Sequence, residues 1–256
     1  MSSKNQLPRV LCLHGAGSSG AIYRVQGRKL FHPLRREFQF VFVDAPFPST
    51  AGPGMYPAYA DSGPFFRWQC DMSAASSFDI TEEEVNAETE KVWKHLEVQL
   101  RSSNGGPFVG LMAFSQGARV ATGLLLHLEE KRRNECSDLP EIKFIILNNA
   151  TYPPLFFDLE SWATDSADGS WADDSSDRST DGRSSGERRV AIPSIHTQGL
   201  NDPWRPESEK MRVTYFEEDC SIVMPFTGGH QMPALDREAN TIVDAIRKVA
   251  SQTLLS

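Results

Sequence analysis

Ser115 is the residue around which chemistry can be assembled. The run Phe108-Val-Gly-Leu-Met-Ala-Phe-Ser115-Gln-Gly117 is apolar up to the serine, and helix-forming residues follow it at once. A buried strand that turns sharply into a helix exposes a serine hydroxyl at the top of a sheet, the layout of a nucleophile elbow. Strand and helix nearly touch in such a turn, so the residues two before and two after the serine must be small. Gly117 meets that need. Ala113 stands where glycine is usual, making the motif A-x-S-x-G. The plainer alternative is a serine that merely caps a helix.

A serine hydroxyl is a weak nucleophile and needs a base, itself oriented by a carboxylate. In elbow-bearing sheets the chain order is serine, acid, histidine, each beyond a later strand. Asp202 comes 87 residues after Ser115, behind the strand-like 192–198 and a glycine turn. His230 comes 28 residues further on, behind 222–226 and the pair Gly228-Gly229. Alone, Asp202 before Pro203 would be a turn former and His230 a loop histidine. Their shared order and strand-end placement make Ser115, Asp202 and His230 the predicted catalytic set.

Acyl transfer also needs backbone N–H donors aimed at the developing oxyanion. The amide of Gln116, next to the nucleophile, is one. The glycine-rich turn Leu13-His-Gly-Ala-Gly17 after the first strand offers the amide of Ala16 as the other, with His14 holding the loop. The same loop supports a rival reading. Gly15-Ala-Gly17-Ser-Ser-Gly20 matches G-x-G-x-x-G, and Asp44 ends the next strand 24 residues later, which is a dinucleotide-binding pattern. That NAD(P) reading would leave the serine, acid and histidine idle.

The elements that must position these residues are legible as blocks. Apolar runs at 9–14, 38–46, 108–115, 142–150, 191–198 and 220–226 are nearly continuous, as in parallel strands covered on both faces. Helix-like segments lie at 23–36, 81–101, 117–133 and 236–255. Thr81 followed by three glutamates supplies a cap and a first turn suited to the helix dipole. Strands alternating with helices predict one α/β domain over 1–256, a mostly parallel, doubly wound sheet. Residues 158–189, rich in Asp, Ser, Gly and Arg, read as a mobile insertion, with a lid carrying Trp162 and Trp171 as the functional alternative.

Residues 47–68 hold seven Gly or Pro among 22, and read as a structured loop. Its aromatics Tyr56, Phe65, Phe66 and Trp68, with Trp204, are candidates for an apolar acyl pocket. A net charge of −8 and a pI near 5.3 argue against nucleic-acid binding. There is no signal-peptide pattern, no membrane-length apolar run and no paired-cysteine motif among Cys12, Cys70, Cys136 and Cys220. A cytoplasmic enzyme without cofactor or metal is the expectation.

The set Leu13-His-Gly-Ala-Gly17, Asp44-Ala-Pro46, Phe114-Ser-Gln-Gly117, Asp202 and Gly229-His230 resembles the fungal serine hydrolase family, a branch of the α/β-hydrolases. The likeness runs from about residue 9 to 248, interrupted by the acidic insertion. The stretches 47–54 and 60–68 are similar to thioesterases of fungal polyketide clusters. The resemblance implies hydrolysis of a thioester between a polyketide acyl chain and an acyl carrier protein. Within enzymes the alternative is a carboxylesterase acting on small oxygen esters. Outside them it is a hydrolase-fold binding protein without turnover.

Overall fold

Six apolar runs become six parallel strands; helices back the inner ones on both sides, whereas the edge run 221–226 leaves Ile222 and Val223 exposed. The computed structural model describes residues 6–70, 81–134, 138–157 and 189–254. In chain order the elements are β1 (Arg9–Leu13), α1 (Gly20–Gln26), α2 (Arg28–Leu34), β2 (Gln39–Val43), β3 (Phe47–Ser49) and β4 (Phe65–Arg67). There follow α3 (Glu82–Leu100), β5 (Phe108–Phe114), α4 (Gln116–Asn134), β6 (Phe144–Asn148) and β7 (Ser194–Gly199). The chain closes with α5 (Arg205–Tyr215), β8 (Ser221–Phe226) and α6 (Asp236–Leu254). The main sheet has the order β2-β1-β5-β6-β7-β8, all parallel.

The period-two alternation of strands sorts the core into two layers. Leu11, Leu13, Leu111, Ala113, Ile145 and Leu147 face the layer closed by α3 and α4. Val10, Cys12, Val109, Met112, Phe144 and Ile146 face the opposite layer, closed by α1, α2 and α6. On α6 the buried residues Ala239, Ile242, Val243, Ile246, Val249 and Ala250 form one stripe at helical spacing. At the start of α3, Glu84 N–H donates to Thr81 Oγ1 (3.2 Å) while Thr81 N–H donates to the Glu84 carboxylate (2.8 Å), a reciprocal cap.

The strand order locates the site. From β1 the chain moves outward to β2, then returns to β5 on the other side of β1. The connections leaving β1 and β5 therefore pass to opposite faces and open a crevice at their carboxyl ends, where ligands bind in such sheets. His14–Gly17 and Ser115 both lie there.

Three details differ from the sequence reading. The helix expected over 23–36 starts at Gly20 and divides at Gly27, where the chain caps α1 and begins α2. The loop over 47–68 contains a short antiparallel pair, β3 with β4. Helix α5 was not anticipated; it exposes much of its surface and buries only Ser208 and Met211. The insertion predicted at 158–189, with its lid alternative at Trp162 and Trp171, lies outside the described residues except at its last position. Among the described residues no helix is long and apolar enough to cross a membrane.

Candidate active site

The turn between β5 and α4 puts Ser115 at φ +53°, the left-handed region that side-chain-bearing residues seldom adopt. Backbone bonds hold it there: Ser115 N–H donates to Asn148 O (3.1 Å), and Ala118 N–H donates to Ser115 O (2.9 Å). The close approach that demands small residues is plain at Gly117. A Cβ there would come within 2.4 Å of Leu13 O and 2.5 Å of His14 O. Ala113, two before the serine, is fully buried in the core layer, and its carbonyl accepts from Asn148 Nδ2 (3.0 Å). Alanine fits this elbow.

Residues far apart in sequence meet over the serine. His230 Nε2 lies 2.8 Å from Ser115 Oγ, and His230 Nδ1 lies 2.8 Å from Asp202 Oδ2. The carboxylate contact fixes the tautomer: Nδ1–H donates to Asp202, which leaves Nε2 free to accept the serine proton. The second oxygen, Oδ1, accepts from Trp204 N–H (2.9 Å), and the Asp202 side chain is 1% exposed. Two rings pack against the imidazole, Phe114 at 5.0 Å and Trp204 at 4.5 Å between centroids.

The loop after β1 is braced from beneath. Neutral His14 donates Nδ1–H to Gly15 O (2.7 Å) and accepts Ala45 N–H at Nε2 (3.0 Å). Burial lowers its pKa to about 4, so it stays uncharged and structural at neutral pH. Trp68 Nε1–H donates to His14 O (2.8 Å), and its ring packs on the His14 ring at 5.4 Å. The Gln116 side chain is engaged just beyond β4, accepting Trp68 N–H (2.8 Å) and donating to Gln69 O (3.1 Å). Neither Ala16 N–H nor Gln116 N–H has a hydrogen-bond acceptor among the described residues. Two free amides at the β1–β5 crevice are the donors an oxyanion requires.

The aromatic residues expected to line a pocket separate. Trp204 lies against His230. Phe65 and Phe66 are half-buried on β4, and the Phe66 carbonyl accepts Gly17 N–H (2.9 Å). Tyr56 stands 69% exposed. Trp68 is 0% exposed, so the pocket expectation gives way there: the indole supports the His14 carbonyl and has no face to offer a ligand.

The dinucleotide reading of the glycine loop also gives way. Asp44 Oδ1, expected on a ribose, accepts Gly20 N–H at 2.7 Å. Ser19 Oγ caps Ile22 N–H, and Gly17 is pressed against the backbone of Gly52. The Gly17, Ser18 and Gly20 amides, which a pyrophosphate would need, are already in use.

Two residues that the sequence reading missed are Asn148 and Asn149, both fully buried. Polar residues ending an otherwise apolar strand were the available signal.

A family model described as serine hydrolase (FSH1) matches residues 1–242. The chain is 36% identical over 243 residues to the thioesterase FSL2 of Gibberella zeae, covering 94% of this chain and 91% of that protein. It is 32% identical over 254 residues to the dihydromonacolin L-[lovastatin nonaketide synthase] thioesterase of Aspergillus terreus, covering 96% and 94% respectively. Among solved structures, acyl-protein thioesterase 2 of Zea mays superposes with a TM-score of 0.54 at 13% identity, covering 97% of this chain and 96% of that one. This last likeness speaks to the fold, an α/β-hydrolase sheet.

Proposed function

Because the chain belongs to the FSH1 serine hydrolase family, we propose that it hydrolyses acyl thioesters through an acyl-enzyme on Ser115. The observation that carries the reading is the single imidazole placed 2.8 Å from both Ser115 Oγ and Asp202 Oδ2. As Oγ attacks the acyl carbonyl, His230 Nε2 takes its proton, and Asp202 stabilises the imidazolium. The carbonyl oxygen becomes an oxyanion, held by the amides of Ala16 and Gln116 at the positive end of α4. Collapse breaks the carbon–sulfur bond, and the imidazolium gives its proton to the departing thiolate, which leaves as a thiol. Water then repeats the sequence, releasing a free acid and restoring Ser115. No metal or cofactor enters these steps.

The choice of thioester rests on the relatives named as thioesterases. The acyl group is proposed to be a polyketide chain and its carrier the acyl carrier protein of a fungal polyketide synthase. Trp204, beside the imidazole, and the half-buried Phe65 and Phe66 are proposed to contact the acyl chain. A cytoplasmic setting suits the free thiols of Cys12, Cys70 and Cys220. A carboxylesterase acting on small oxygen esters would use the same residues.

Intact-protein mass spectrometry after incubation with acyl thioesters of graded length, beside the matching oxygen esters, tests the proposal. The expected result is an acyl mass increment lost in Ser115→Ala, with thioester turnover exceeding ester turnover. Turnover of esters alone would replace the thioesterase reading by the esterase one. Neither adduct nor turnover would leave a binding protein on a hydrolase fold.

A further inference from the structure

The proposed machinery comes in two halves. Ser115 rides on the elbow between β5 and α4. Asp202 and His230 ride on two loops, after β7 and β8, that are zipped to each other: Leu200 N–H donates to Phe226 O (2.9 Å) and Asn201 N–H to Gly228 O (2.8 Å). These bonds keep acid and base together, but do not determine how far the pair stands from the nucleophile. That distance must be held by the strand between the halves, β6.

The residue immediately after β6 is Asn149, 1% exposed and at φ +44°. Asparagine tolerates this left-handed conformation better than most side chains. Its backbone is anchored by N–H donation to Thr197 O (2.9 Å), and the preceding carbonyl, Asn148 O, accepts the Ser115 amide. Its side chain then reaches both loops. Oδ1 accepts Gly199 N–H (2.8 Å), at the root of the turn in which Asp202 N–H returns to Gly199 O. Nδ2 donates to Gln231 O (2.8 Å) and Gly229 O (3.3 Å), the carbonyls on either side of His230. One buried amide thus joins the loop of the acid and both flanks of the base to the strand whose carbonyl holds the nucleophile.

We propose that Asn149 is a positioning residue that sets the reach of His230 to Ser115, resting on the reading of Ser115, His230 and Asp202 as the catalytic set. Without the amide, the zipped loops keep Asp202 on His230 but are free to drift together away from the serine. A drift of about 1 Å takes a 2.8 Å contact beyond hydrogen-bond range, and misplacement on that scale costs roughly 10²-fold in rate.

The test uses two substitutions that differ in backbone strain but not in the missing amide. Asn149→Gly removes the side chain and accepts φ +44° without strain; Asn149→Ala removes it and adds strain there. Measured well below their unfolding temperatures, both should lose roughly 10²-fold in kcat with KM nearly unchanged. Labelling of Ser115 by a serine-directed phosphonate should slow by a similar factor. The downfield proton resonance of His230 Nδ1–H should persist in both, because its bond to Asp202 is untouched. Only the unfolding temperature should separate them, Asn149→Ala falling further.

A folded Asn149→Gly with kcat within threefold of the parent would overturn the proposal. So would kcat losses that track the unfolding temperatures of the two variants, since that marks a merely structural role. Ser115→Ala is assayed alongside. If it is inactive while Asn149→Gly is fully active, only the role of Asn149 falls. Should Ser115→Ala itself retain turnover, the catalytic reading falls first.

Discussion

Gly117 lies where α4 passes the carboxyl end of β1, and replacing it by alanine tests whether the elbow and the proposed oxyanion loop act as one rigid unit. The new methyl would sit 2.4 Å from Leu13 O and 2.5 Å from His14 O, both main-chain atoms at the same strand end. Carbon–oxygen contacts below about 3.0 Å are not sustained in a close-packed interior. Helix and strand must therefore separate by at least about 0.6 Å, since no side chain can give way. The strand end continues into Ala16 and the helix begins at Gln116, so this separation moves the two amides apart. A donor at about 2.9 Å from the oxyanion would retreat to about 3.5 Å, near the limit of a useful hydrogen bond. Loss of one such donor costs about 10²–10³-fold in kcat, and the overpacking costs about 1–3 kcal/mol of stability. The assay is steady-state hydrolysis of an acyl thioester by Gly117→Ala, with circular dichroism to establish that the variant is folded. A folded variant with kcat within threefold of the parent would refute the reasoning, because the two amides would then not depend on this contact.

His230→Ala should lose nearly as much rate as Ser115→Ala, about 10⁵–10⁶-fold, and Asp202→Asn less, about 10⁴-fold, in kcat for thioester hydrolysis. Full activity in Asp202→Asn would mean that another carboxylate orients His230. Trp68→Phe keeps the ring but leaves the buried His14 carbonyl without its indole donor; thermal unfolding should show a loss of about 1–3 kcal/mol, with reduced kcat from a looser oxyanion loop. Burial lowers His14 to about 4 and His196 to about 3, whereas in the unfolded chain both titrate near 6.5. The unfolded state therefore binds protons first, and stability present above pH 6.5 is lost as pH falls toward those folded values. Urea unfolding from pH 6.5 to 5 should show about 2 kcal/mol lost per histidine, and His196→Leu should lose visibly less over that interval. An identical slope in that variant would show that His196 takes no part.

Much of the site was legible because its parts have local signatures. A continuous apolar run marks a strand covered on both faces, and its interruption at Ser115, before Gly117, marks a sharp turn into a helix. Asp202 and His230 were readable because each follows such a run and a glycine turn. The reciprocal cap at Thr81 and Glu84 was likewise local. Short or polar elements were not legible: β3 and β4 have three residues each, too few to show a period, and α5 buries too little to carry an apolar stripe. Trp68 was misplaced for a related reason. In sequence, an aromatic residue in a glycine- and proline-rich loop looks the same whether it lines a pocket or supports a backbone.

Sequence alone determined which chemistry is available here, a serine with an acid and a base in hydrolase order, and that parallel strands must carry them. Tertiary structure alone decided how they meet. Hydrogen-bonded neighbours in the sheet bring Ser115 and His230, 115 residues apart, to 2.8 Å, and the Asn149 amide spans 82 residues to reach Gln231. Such contacts leave no periodic trace, because they depend on which strands lie side by side. That adjacency arises only when burial of all the apolar runs is satisfied at once.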